Sequence, residues 1–205
     1  MNGCIKLLKT IKKLTPNAND RTTDDEANSL WATYYAQYLD SIWALIDTCE
    51  SSKSYFSYED IFLPLGLLTA HYMELWLKTI SRNYGIGDFK NIDAVHLSGH
   101  RVSELSPKFL ASLSQEERNV CDKQIDKAME LYEKLKLLAK ENMDLSEAMR
   151  YPVDRKGNAT LMPQLLENIE WQEFDFDYVT YIELIKNLLH ITENVYDCIF
   201  KIRIH

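Results

Sequence analysis

Residues 63–80, LPLGLLTAHYMELWLKTI, constrain this chain more than any other stretch. On a helix of 3.6 residues per turn the segment is apolar on nearly every side. A helix of that kind has to be enclosed by other elements, so it is expected at the centre of the fold. Its polar exceptions, His71, Glu74 and Lys78, fall at i, i+3 and i+7, which places all three on one face. The helix is expected over residues 58–84, with Pro64 kinking it or marking its true start. Gly85 and Gly87 supply its stop.

The partners that enclose it are legible from the same period. Apolar and aromatic residues recur at helical spacing from Leu30 to Cys49, through Trp31, Tyr34, Tyr35, Tyr38, Ile42, Trp43 and Ile46. Thr23 or Asp24 caps that helix, and the SSKS stretch at 51–54 ends it. A short helix is expected near 102–105, with Pro107 opening another. Ser114 and Glu117 have capping-box spacing and open a helix running to about Asn142. Pro152 and Gly157 prevent a helix over 150–158, and a short one covers 161–169. Asp175 or Asp177 caps a last helix, with Val179, Ile182, Ile185, Leu188, Leu189, Val195 and Ile199 on its apolar face. Gly and Pro together number only 11 of 205 residues, which argues against a turn-rich β-sandwich or barrel. The expected fold is all-α, a bundle of four long helices with short helices beside them.

Charge and cysteines bound the setting. Lys6, Lys9, Lys12 and Lys13 lie in the first 13 residues, and removing them from the formal charge of −8 leaves the body at −12. An acidic body is no general DNA-coating surface, because phosphate contacts need clustered Lys and Arg. Residues 1–22 read as a basic segment and linker, and 23–205 as the helical domain. The basic segment forms a short amphipathic helix that packs on the body or touches a partner, nucleic acid or membrane surface. No apolar run reaches 18 residues, so no transmembrane segment is implied. Cys4, Cys49, Cys121 and Cys198 make no CxxC pair and read as reduced, mostly buried thiols, pointing to a cytoplasmic location.

Several residues carry chemistry. The face of His71, Glu74 and Lys78 needs polar partners, since burying unpaired charge costs several kcal/mol. It either meets Arg150 or Asp154 to bind phosphate or position a 2′-hydroxyl, or simply pairs Glu74 with Lys78 to fix the bundle register. His100 beside Arg101 combines a general base with a phosphate-holding cation, or caps the short helix that follows. Arg150 inserts into the bundle with Tyr151 stacking and Pro152 fixing the loop, or binds phosphate. His96, His100 and Glu104 have ligand spacing, but Gly99 interrupts the helix they would need, so neither metal nor cofactor is expected. There is no phosphate-cradling glycine loop and no nucleophile elbow.

Three segments in this order, LPLGLLTAHYMELWLKTI at 63–80, HLSGHRVSEL at 96–105 and MRYPVDRKGN at 149–158, resemble the HEPN-like helical proteins of prokaryotes. The matching residues are His71, Glu74, Leu75, Leu77 and Lys78, then Gly99 and His100, then Arg150, Tyr151, Pro152 and Asp154. The resemblance implies a HEPN-like bundle over about residues 30–200. It also implies a role in defence or toxin–antitoxin systems, either as a metal-independent ribonuclease or as a non-catalytic module. RNA and a partner or antitoxin protein are the partners it implies, and a homodimer the expected assembly. Active members carry R-x4-6-H on one helix. No Arg here precedes a His by five to seven positions, so that motif is not carried over. On the ribonuclease reading His100 is the base and Arg101 or Arg150 stabilises the phosphorane. His71, Glu74, Lys78, Tyr151 and Asp154 complete the binding residues.

Overall fold

The computed structural model describes residues 24–51, 57–82, 100–139, 143–150 and 177–204. They form α1 (Asp24–Glu50), α2 (Tyr58–Arg82), α3 (Val102–Ser112), α4 (Gln115–Lys136), α5 (Leu145–Arg150) and α6 (Tyr178–Ile204). The architecture is all-α, with four long helices and two shorter ones and no strand among the described residues.

The central position expected of the most apolar helix is the one α2 holds, packed against α1, α3, α5 and α6. Leu65, Tyr72, Met73, Trp76, Leu77 and Ile80 of α2 are all buried. The core they anchor takes in Ile42 and Ile46 of α1, Val102, Leu105 and Phe109 of α3, and Leu188, Leu189, Val195 and Ile199 of α6. Burying side chains of this kind stabilises a fold by roughly 1.5–3 kcal/mol each.

Several polar groups inside this core are paired. Trp76 Nε1 donates to the Thr192 carbonyl at 3.0 Å, and the Tyr72 hydroxyl meets Thr192 Oγ1 at 2.7 Å. The Tyr35 ring stacks between Tyr72 and Tyr196, at centroid distances of 5.3 and 5.1 Å. These contacts set the rotation of α2 relative to α1 and α6, and so decide which α2 face is left for His71, Glu74 and Lys78.

A second polar tie fixes the other end of the bundle. Ser114 and Glu117 form a reciprocal capping box at the start of α4, with the Ser114 amide donating to Glu117 Oε2 at 2.7 Å. Glu117 Oε1 accepts from Arg203 Nε at 2.5 Å, and Arg203 Nη1 donates to the Ile80 carbonyl at 2.7 Å. One buried ion pair thereby joins the ends of α6 and α2 to the start of α4.

Several elements differ from expectation. Residues 102–112 make one helix that runs through Pro107 rather than two pieces. The proline removes a single backbone donor, and the buried side chains of Val102, Leu105 and Phe109 hold the turns on either side. Pro64 likewise lies inside α2. α4 stops at Lys136, short of residue 142, in a turn at 137–138. Val179 is exposed although it matches the apolar period of α6, because it sits in that helix's first turn. Tyr34 is exposed on α1. Of the thiols, Cys121 is buried while Cys49 and Cys198 are half-buried. Asp177 caps α6, accepting from the Thr180 amide at 2.9 Å. The basic segment 1–22, the glycine stop at 85–87 and the helix expected over 161–169 lie outside the described residues. Among the described residues, no helix is long and apolar enough to cross a membrane.

Candidate functional site

The polar face of α2 is built around one carboxylate. Glu74 is buried, and Lys78 one turn further on reaches back to its Oε1 with Nζ at 2.5 Å. An i, i+4 pair on one helix face is ordinary; its burial is not, because both partners are within a tenth of full enclosure. The same Oε1 accepts from His100 Nδ1 at 2.9 Å, across the gap between α2 and the residue that precedes α3 by two. Glu74 Oε2 faces His71 Nδ1 at 3.8 Å. Burial pushes the Glu74 pKa up, but the groups on His71, Lys78 and His100 outweigh it and hold the carboxyl at about 2. Glu74 is therefore a fixed anion at neutral pH. It orients its neighbours and does not exchange a proton with them.

Donor and acceptor capacity then assigns the histidine tautomers. A carboxylate only accepts, so His100 Nδ1 carries the hydrogen in the Glu74 contact. The Nε2 lone pair is left as the basic nitrogen on a side chain that is 84% exposed. His71 is locked differently. Arg150, the last residue of α5, approaches its Nε2 with Nη2 at 2.9 Å, and a guanidinium can only donate. His71 Nε2 is thus an acceptor, and its Nδ1–H points toward Glu74. The Tyr38 ring of α1 lies 5.9 Å from His71 and closes that side.

Of the two histidines, His71 has its basic nitrogen occupied and His100 does not. A histidine held by a buried, permanently ionised carboxylate through Nδ1, with Nε2 facing outward, is suited to general acid–base work on something bound at the surface. The nearby Arg101 guanidinium lies 4.0 Å from Glu104 and 4.0 Å from Glu147, all three half-exposed.

The expected site residues are therefore distributed as follows. His71, Glu74, Lys78, His100 and Arg150 form one connected cluster, drawn from α2, α5 and the entry to α3. Arg101 follows His100 and is paired to carboxylates instead of joining the Glu74 contacts. Tyr151 and Asp154 lie outside the described residues, as does His96. His100 does not cap α3: Arg101 occupies the cap position, without a side-chain cap bond, and the His100 ring is turned to Glu74. Among the described residues, no group of three His, Cys, Asp or Glu side chains is arranged to hold a metal ion. Sequence reasoning did not find the contact between His100 and Glu74. Both residues were singled out, but 26 positions apart and on separate elements no spacing rule connects them.

No protein-family model, no curated protein and no solved structure matches this chain.

Proposed function

We propose that the chain is a HEPN-like protein of a prokaryotic defence or toxin–antitoxin type system and that it cleaves RNA without a metal ion, working as a homodimer. The observation that supports this reading is the 2.9 Å contact between His100 and the buried Glu74 carboxylate. With Nδ1 engaged there, Nε2 takes the proton of a ribose 2′-hydroxyl. The 2′-oxygen attacks the adjacent phosphorus, the P–O5′ bond breaks as the 5′-oxygen takes a proton from water, and a 2′,3′-cyclic phosphate and a free 5′-hydroxyl result. Arg150, held on His71, and Arg101 are the cations for the phosphorane charge, and a cation needs no metal to do so. Lys78 has a different role, keeping Glu74 ionised so that the carboxylate steers His100 and does not compete for the proton.

The test is incubation of the purified chain with total RNA and with defined transfer RNAs in the presence of a chelator, with His100→Ala and Arg150→Ala alongside. Both variants are first checked for unchanged helical content. Discrete fragments with cyclic phosphate ends, absent from the His100→Ala lane, are the expected result. Cleavage that survives His100→Ala would remove the assignment of the base.

A second reading, a non-catalytic HEPN-like module that binds a partner protein or small ligand, is favoured by Arg101. Its guanidinium already faces two carboxylates that would compete with a phosphate, on a body whose net charge is acidic. Intact RNA in every lane, together with recovery of one specific partner, would support that reading over the first.

A further inference from the structure

α4 and α6 lie against one another, and an ion pair between them sets their register. At one end Glu117 of α4 pairs with Arg203 of α6. One turn further along α4 is Cys121 in the core, and five residues back along α6 is Cys198, packed against that core and close enough to raise the Cys121 pKa. Two helices packed together with the start of one at the end of the other run antiparallel, which puts these two cysteines at facing positions. Cys121 is fully enclosed and Cys198 is half-buried, so one thiol of the pair is reachable from solvent. Cys49 is elsewhere, donating to the Ser57 carbonyl at 3.4 Å.

We propose that Cys121 and Cys198 form a reversible redox pair in which hydrogen peroxide, entering at Cys198, converts the two facing thiols into a disulfide that staples α4 to α6. The Cys198 thiolate attacks one peroxide oxygen, the O–O bond breaks, and the leaving hydroxide takes up a proton as water, which leaves a sulfenic acid on Cys198. Cys121 then loses its proton and attacks the Cys198 sulfur. The S–O bond breaks, and the departing hydroxide leaves as a second water. Two thiols and one peroxide give one disulfide and two waters, and the two electrons lost by sulfur are those that reduce the peroxide oxygens. Burial, with the neighbouring Cys198 thiol next in effect, pushes the Cys121 pKa up to about 11, so the second step is the slower one. A disulfide requires Cα atoms within about 7 Å, a range that packed helices reach where the facing side chains are small, as cysteine's are. The staple closes residues 121–198 into one loop, and the cross-linked form melts higher by on the order of 10 °C.

The full chain is treated with stoichiometric hydrogen peroxide under native conditions, then blocked with a maleimide in denaturant and mapped by peptide mass. The expected result is two blocked cysteines of the four, one linked pair of peptides carrying Cys121 and Cys198, the predicted rise in Tm, and full reversal by dithiothreitol. Cys121→Ser should stop at a sulfenic acid on Cys198 that dimedone captures, and Cys198→Ser should not react at Cys121 at all. If Cys121→Ser does not fold, the wild-type peptide map decides alone. Four maleimide labels after treatment, a disulfide involving Cys4 or Cys49, or over-oxidised Cys198 beside a labelled Cys121 would each overturn the proposal.

Discussion

Replacing Glu74 with Gln is the perturbation whose size follows most directly from this structure. The carboxyl is held at about 2, against an ordinary value of 4.5. A depressed carboxylate contributes stability that is fully present above the unfolded-state value and is lost as pH falls through the folded one. At about 1.4 kcal/mol per pH unit, the gap corresponds to about 3 kcal/mol, present at pH 6 and lost between roughly pH 4.5 and pH 2. Glu74→Gln keeps the shape, removes that titration, and leaves the Lys78 ammonium buried beside a neutral amide. At pH 7 the variant should therefore be less stable than wild type by about 3 kcal/mol, within the 3–5 kcal/mol usual for orphaning a buried charge. Urea unfolding followed by far-UV circular dichroism at pH 7, 5, 3.5 and 2.5 reads this directly. The expected outcome is a wild-type advantage that shrinks toward zero by pH 2.5. Asp60, Asp177 and Glu130, whose carboxyls are also held below their ordinary range, titrate equally in both proteins and cancel in the difference. An advantage of equal size at pH 7 and pH 2.5 would show that the Glu74 charge is not what stabilises the site.

Three other variants test the frame around it. Arg203→Met leaves Glu117 buried without its cation and the Ile80 carbonyl without its donor, and should cost about 3–5 kcal/mol in urea unfolding. Ser114→Ala removes the side chain that accepts from the Glu117 amide at 3.2 Å, and should cost about 1 kcal/mol by the same assay. Gly66→Ala puts a Cβ 2.7 Å from both Met149 Cε and the Tyr181 hydroxyl. Met149 can swing away but the Tyr181 ring cannot shorten, so a net loss of about 1–2 kcal/mol is expected, where an unhindered helix site would gain stability.

The long helices were readable because their signals are local. The apolar face of Ile42 and Ile46, the Ser114–Glu117 box and the cap at Asp177 all lie within a turn or two of the residues they organise. The all-round apolar character of residues 63–80 likewise pointed to the enclosed position that α2 occupies. Pro107 misled because its cost is a single lost backbone bond, which the burial of Phe109 and Leu105 outweighs. In the site, the His71–Glu74–Lys78 face was a matter of helical spacing, and Arg150 was one of two partners named for it. The engagement of His100 by Glu74 depends on how α3 is delivered to α2 by tertiary packing, which leaves no periodic trace. The facing of Cys121 and Cys198 depends in the same way on the α4–α6 register set by Arg203.

Glu74 fixes His100 with its hydrogen on Nδ1 and its lone pair on Nε2. Long-range ¹H–¹⁵N correlation spectroscopy of the imidazole nitrogens, on protein labelled with ¹⁵N and assigned with His100→Ala, measures this directly. Neutral His100 should be the Nδ1–H tautomer in the wild type and should lose this preference in Glu74→Gln. A neutral His100 carrying its hydrogen on Nε2, unchanged by that substitution, would contradict this assignment.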